Sequence, residues 1–215
     1  KMSKLSLETA KRQFVLYGFN IKELERTLDS FMGILEGIDS KSQKDPATIV
    51  VQSTIEATMM IEYIALDLYA AYRQYLSATT NYEERQAMTK ANIVMQEGYK
   101  KLYGFTEDKQ KESFWGKQIK KAVDVNPSHR QDYDEITSQL REFVPLNLDK
   151  DMRDYAVHYD RDPRKVYRML SSINAEEVLQ RVIKFLSVLE RVAKLTFDLL
   201  KTLIKNDDNR TSGIE

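Results

Sequence analysis

Apolar residues recur at helical spacing along most of this chain, and the clearest pattern lies near the C-terminus. Over residues 175–205 they alternate three and four positions apart, as they do in a helix packed inside a bundle. The main stripe is Val178, Val182, Phe185, Leu189, Val192, Thr196, Leu199 and Leu203. A neighbouring stripe widens the apolar face and consists of Leu179, Ile183, Leu186, Ala193, Leu200 and Ile204. This helix is predicted to lie inside a bundle, or between a bundle and a second copy of the chain.

Capping residues mark where the other helices begin. An acid precedes a proline at Asp45-Pro46 and at Asp162-Pro163, Asn174 precedes the last helix, and capping boxes are predicted at residues 80–83 and 128–131. The predicted helices cover about residues 5–38, 46–77, 81–103, 110–124, 128–143, 148–159, 163–171 and 175–205.

These elements predict a single all-α domain over residues 1–215. It is expected to be an up-and-down helical bundle of four to five main helices with extra short helices. Residues 46–205 form the predicted core bundle, 5–38 an N-terminal helical addition, and 206–215 a frayed polar tail.

Composition agrees with this fold and narrows the function. Seven Gly, four Pro and no Cys suit helices, and the absence of Cys excludes disulfides and thiolate zinc sites. Basic and acidic residues balance at 33 each, so any RNA contact must be local. No stretch is expected to span a membrane and no signal peptide is seen, so a cytoplasmic location without a membrane partner is expected.

Two segments carry charge in unusual places. Within the apolar second helix, Glu56, Glu62 and Asp67 either lie at the edge of the stripe facing water or a lysine, or one of Glu56 and Asp67 orients Arg153. Residues 100–121 contain seven Lys and the pair Phe114-Trp115. A solvated helix docked by these two aromatic residues is favoured there over an RNA-binding surface.

Several kinds of chemistry are absent from the sequence. There is no glycine-rich phosphate loop, no H-E-x-x-H, no G-x-S-x-G, and no Glu three residues before either His, so no metal or other cofactor is expected. His129, in the first turn after the predicted Ser128 cap, is expected to face solvent.

The second histidine lies in the stretch "MRDYAVHYDRDPRKVY", residues 152–167. Arg153 and His158 are five positions apart and so differ by about 140° on a straight helix. Asp154 is one turn before His158 and shares its face. In a purely structural interpretation, His158 ends a short helix and pairs with Asp154.

The segment "RDYAVH", residues 153–158, resembles the R-[polar]-x-x-x-H motif of the HEPN family (higher eukaryotes and prokaryotes nucleotide-binding), and its place before the last bundle helix also fits. The resemblance implies a metal-independent endoribonuclease, often a toxin or defence effector, whose site forms across a homodimer. A two-fold axis would bring Arg153 of one chain towards His158 of the other. The alternative is a non-catalytic helical module for dimerisation, nucleotide binding or protein binding.

The resemblance also implies roles for individual residues. His158 is the expected general acid or base, Arg153 the phosphate clamp and Asp154 the orienting residue. Tyr155 and Tyr159 either pack, which is favoured, or stack on a base. Two alternatives are equally favoured for Arg161, Arg164, Lys165 and Arg168: they hold flanking phosphates, or they form solvated salt bridges with Asp160 and Asp162. The expected partners are a second copy bound through the final helix and motif region, RNA or a nucleotide, and an antitoxin protein.

Overall fold

The computed structural model describes residues 7–41, 43–143 and 162–211, and these residues form helices and short connections with no strand. The all-α prediction is confirmed. Five helices are long, namely α1 (Leu7–Asp39), α2 (Pro46–Ser77), α3 (Asn81–Leu102), α6 (Arg130–Glu142) and α8 (Ala175–Thr211). The short elements are α4 (Glu107–Glu112), a π-helix (Phe114–Ile119), α5 (Lys120–Val125), a 3₁₀ turn (Pro127–His129) and α7 (Pro163–Ser172).

Side-chain caps fix most helix starts where the sequence predicts them. The Asp45 carboxylate accepts the backbone N–H groups of Ala47 at 2.8 Å and Thr48 at 3.0 Å. Thr80 and Glu83 form the predicted reciprocal box, with the Glu83 N–H donating to Thr80 Oγ1 at 3.2 Å and the Thr80 N–H donating to Glu83 Oε2 at 3.0 Å. These side chains satisfy first-turn donors that the helix itself leaves unpaired.

Two local predictions are wrong. The helix expected over 110–124 is divided into α4, the π-helix and α5, with Ser113 ending the first of these. The capping box expected at Ser128 is replaced by the 3₁₀ turn, and α6 begins after His129 without a side-chain cap.

The described chain divides into two compact units. Unit 1 contains residues 7–26, 64–97 and 162–186. Its core includes Met88 and Met95 of α3 and Phe185 of α8, all fully buried. The Tyr17 ring of α1 packs against two rings of α2, with centroid distances of 5.2 Å to Tyr69 and 4.8 Å to Tyr72.

Unit 2 contains residues 27–41, 43–63, 98–143 and 187–211. Leu28, Phe31 and Ile38 of α1 are buried, so this helix contributes to the core of unit 2. The Phe31 ring stacks on Phe197 of α8 with centroids 5.7 Å apart. The hydroxyl of Tyr99 donates to the backbone carbonyl of Leu140 at 2.9 Å, near the end of α6.

Burial along α8 follows the predicted pattern. Every residue of the main apolar stripe, from Val178 to Leu203, is buried. In the neighbouring stripe Leu179, Leu186 and Leu200 are buried, whereas Ile183 and Ile204 are about half exposed. The helix continues to Thr211, past the end that the sequence pattern gave it.

Helix α2 has the length and composition of a membrane span, although no stretch was expected to span a membrane. It is 32 residues long and holds an 18-residue window of mean hydropathy 1.3, so within the described residues it is the one helix long and apolar enough to cross a bilayer. Half of that window is buried inside the protein. A core helix of a soluble protein meets the same criterion of length and composition.

Candidate functional site

The motif predicted to carry catalysis lies outside the described residues. This applies to Arg153, Asp154 and His158, and also to the flanking Tyr155, Tyr159 and Arg161. Their roles therefore stay predictions. The nearest described element is α7, which begins five residues after His158.

Helix α7 presents a basic outer face. The carboxylate of Asp162 accepts the backbone N–H of Arg164 at 3.0 Å, and Pro163 occupies the first turn, so the predicted cap is confirmed. Met169 and Leu170 are buried and dock the helix in unit 1. The side chains left outside are the predicted phosphate contacts Arg164, Lys165 and Arg168.

One aromatic side chain on α7 was missed by the sequence analysis. Tyr167 is 72 % exposed, which is unusual for a large ring on a short amphipathic helix. At helical spacing Arg164, Tyr167 and Arg168 share a face, because they are three and four positions apart. Periodicity alone does not reveal this exposure, because Tyr167 is also three residues before the buried Leu170.

Arg164 on this face forms a solvent-exposed ion pair with the residue that caps the helix. The Arg164 Nε donates to Asp162 Oδ1 at 3.2 Å, and the Arg164 side chain is 80 % exposed, so this ion pair is screened by water. A phosphate would compete with the half-buried Asp162 carboxylate for the guanidinium, because phosphate oxygens can accept two parallel hydrogen bonds from Arg. The face is thus chemically suited to bind phosphate and one unstacked base.

The two acids proposed to support Arg153 are at the surface of α2. Glu56 and Asp67 are exposed, and the Glu56 carboxylate accepts a hydrogen bond from Gln52 Nε2 at 3.1 Å. This is the surface position that the simpler interpretation predicted. Their proposed role with Arg153 falls on a residue outside the described range.

Glu62 departs from the sequence expectation, which had this acid facing water or a lysine. Its side chain is only 2 % exposed, and its Oε2 accepts no hydrogen bond from the described part of the chain. Burial raises the pKa of Glu62 from 4.5 to about 7, because the charged form loses its hydration. The carboxyl group is therefore largely protonated below neutral pH.

His129 also differs from its prediction. It is half-buried, and its Nε2 lies 3.2 Å from Thr202 Oγ1 of α8. The histidine therefore contacts α8 within unit 2 instead of facing solvent. This contact gives His129 a packing role.

The basic segment around Trp115 is anchored by its aromatic residue, as predicted. Trp115 is 1 % exposed and stacks on Tyr133 of α6, with ring centroids 4.6 Å apart and planes 4° from parallel. The indole N–H donates to Thr137 Oγ1 at 2.8 Å. Phe114 is half-buried, and all seven lysines of the segment are exposed.

Among the described residues, no three His, Asp or Glu side chains are grouped so as to hold a metal ion. Comparisons with known proteins add no assignment. No protein-family model matches the chain, and no curated protein or solved structure is detectably similar to it.

Proposed function

We propose that the protein is a metal-independent endoribonuclease with Arg153, Asp154 and His158 at its site. The observation that supports this is the exposed face of Arg164, Tyr167 and Arg168 on α7, which begins a few residues after the motif. Two guanidinium groups beside an exposed ring are the combination that single-stranded RNA requires, because phosphates need cations and unstacked bases need an aromatic surface.

The proposed reaction uses the RNA's own 2′-hydroxyl. His158 removes the proton from this hydroxyl, whose oxygen then attacks the adjacent phosphorus. The bond from phosphorus to the 5′-oxygen breaks, and that oxygen takes up a proton from the protonated imidazole. The products are a 2′,3′-cyclic phosphate and a 5′-hydroxyl end. Arg153 stabilises the negative charge of the phosphorane, and Asp154 orients the site.

The chemistry fits a site shared between two chains. Helical spacing separates Arg153 and His158 by about 140° along one helix. A homodimer removes this difficulty by pairing Arg153 of one chain with His158 of the other, and the face of α7 would then hold the phosphates that flank the scissile bond.

Cleavage of labelled RNA in EDTA tests the proposal. Wild-type protein is expected to cleave, and His158→Ala and Arg153→Ala are each expected to lose about 100-fold or more of the rate. His129→Gln is the matched control, because it changes the chain's other histidine and should retain cleavage. The same RNA with a 2′-deoxy substitution at the cut should resist cleavage. Cleavage that survives both alanine substitutions contradicts the proposal.

The second candidate is a non-catalytic module that dimerises through α8. Ile183 and Ile204 favour it, because each is about half exposed although most other apolar residues of α8 are buried. The dimer should be seen by light scattering, and Ile183→Lys should weaken it. A stable dimer without cleavage of any RNA would favour this function over the enzyme.

A further inference from the structure

Unit 2 contains an open basic cleft of about 450 Å³ that the proposed active site does not use. Four lysines and one glutamate contribute to its lining, so its net charge is +3 although the whole chain is neutral. The glutamate pairs with one lysine at 2.8 Å. The charged and aromatic lining residues are Lys100, Lys101, Lys109, Glu112, Phe114 and Lys117.

The cleft is held in shape by two close backbone contacts. Gly104 has a φ of 88°, and a Cβ there would lie 2.7 Å from the carbonyl carbon of Lys109. A Cβ on Gly116 would lie 2.0 Å from the carbonyl oxygen of Gln110. Both glycines thus let the main chain press directly on α4, which carries part of the lining. The groups around the cleft are positioned before any ligand arrives, which lowers the cost of binding.

The π-helix supplies three further lining residues, and the end of α3 supplies Lys100 and Lys101. π-Helices are rare in proteins, and those that occur are often found at functional sites. Phe114, Lys117 and Gln118 all come from this element and face the cleft. The Oε1 of Gln118 is buried and accepts no hydrogen bond from any described residue. An exposed cation, Lys117, and a half-buried ring, Phe114, therefore lie together in the lining.

We propose that this cleft binds a segment of single-stranded RNA, as a second contact for the RNA cleaved at the motif. The lysines hold its phosphates, and Phe114 stacks on a base. The choice of RNA as the ligand rests on the proposed ribonuclease function. A single strand is preferred to a duplex because only unpaired bases offer a face to Phe114.

Binding is measured with the His158→Ala protein, so that the result does not depend on cleavage. The probe is a fluorescein-labelled RNA 12-mer without secondary structure, followed by anisotropy in EDTA over a range of salt concentrations. The cleft variant is Lys101→Gln/Lys109→Gln. The matched control is Lys111→Gln/Lys121→Gln, which removes the same charge from the same segment, outside the cleft lining.

The cleft variant is expected to bind about 10- to 30-fold more weakly at 0.1 M salt, and its log–log salt slope should fall by about 1.4 because two phosphate contacts are lost. The control should change affinity by less than about threefold, since those charges are largely screened. Phe114→Leu, which keeps an apolar side chain, should weaken binding of the single strand about fivefold or more. Thermal unfolding checks that each variant is folded.

Equal losses in the two double variants would overturn the proposal, because they would reveal a diffuse charge effect. So would equal binding of duplex and single strand, or complete displacement of the RNA by 10 mM phosphate at constant ionic strength, which would show a site for a small anion only. Failure of the ribonuclease proposal looks different, since the wild-type protein would then not cleave whatever the cleft binds.

Discussion

The buried carboxyl group of Glu62 makes stability depend on pH, and Glu62→Gln should remove that dependence. The folded protein keeps this group protonated up to a pKa of about 7, whereas the unfolded chain releases the proton near 4.5. Between these values the folded state binds more protons than the unfolded state, so stability is fully present below pH 4.5 and falls as the pH rises to 7. Above pH 7 this loss is complete and constant.

The size of the effect follows from the difference between the two pKa values. Each pKa unit is worth about 1.4 kcal/mol, so the span from 4.5 to about 7 gives an upper value of about 3.5 kcal/mol. Relaxation of the protein and penetration of water around the charged form lower this to about 2 kcal/mol. In a protein of this size, 2 kcal/mol corresponds to about 4–8 °C in Tm.

The assay is urea unfolding at four pH values between 4.5 and 7.5, followed by far-UV circular dichroism and by fluorescence. The only tryptophan, Trp115, belongs to the same unit as Glu62, so its emission reports on the relevant core. The stability of Glu62→Gln relative to wild type should rise by about 2 kcal/mol from pH 4.5 to 7.5. Exposed Glu56, changed to Gln on the same helix, is the matched control and should show no such trend. Parallel curves for wild type and Glu62→Gln would refute the reasoning.

Three further predictions concern local structure and can be checked by thermal unfolding. Gly116→Ala should lower the free energy of unfolding by about 2–3 kcal/mol, because the added Cβ would overlap the Gln110 carbonyl. Gly33→Ala, with open space around the added Cβ, should raise it by about 0.5–1 kcal/mol. Equal effects of the two substitutions would contradict this. Thr137→Val should lower the free energy of unfolding by about 1–3 kcal/mol, because it leaves the buried indole N–H of Trp115 unpaired. Thr137→Ser keeps the hydroxyl and should lower it by less. The reverse order would contradict this. Asp162→Ala should lower the free energy of unfolding of unit 1 by about 1 kcal/mol, because the helix loses its cap. Asp162→Asn can still cap the helix and should lose only part of that. Equal losses would show that the ion pair with Arg164, and not the cap, is responsible.

The helix boundaries were largely predictable because they depend on local chemistry. Asp45, Thr80 and Asp162 each cap a helix with their own side chains, and Asn174 Oδ1 accepts the N–H of Glu177 at 3.3 Å. Such contacts span only two to three residues, so the sequence contains all the information needed to place them. The apolar stripe of α8 was predictable for the same reason, since its period alone defines the buried face.

The features that were missed depend on close packing that helical periodicity does not show. The break at Ser113 and the π-helix after it come with the close approach of Gly116 to the Gln110 carbonyl, which helical periodicity does not encode. The burial of Glu62 was only partly predictable for the same reason. Its sequence context marks it as unusual, but only the packing around α2 decides whether it meets water.

The catalytic motif lies outside the described residues, so its chemistry and its shared arrangement stay predictions. The basic residues that follow it, Arg164, Lys165 and Arg168, are exposed on α7. Tyr167 was missed, although the helical period places it beside Arg164 and Arg168. The cleft in unit 2 could not be foreseen, because it is formed by elements that meet only in the folded chain.

Subunit mixing tests the central claim most directly. Arg153→Ala and His158→Ala proteins, each inactive alone, are mixed, partly unfolded to exchange subunits, refolded and assayed on RNA in EDTA. If the site combines Arg153 of one chain with His158 of the other, each mixed dimer regains one intact site, so about a quarter of wild-type activity should return. A protein that carries both substitutions in the same chain should recover no activity when it is mixed with either single variant. Activity that does not rise on mixing, with wild type active, would contradict a site shared across the dimer.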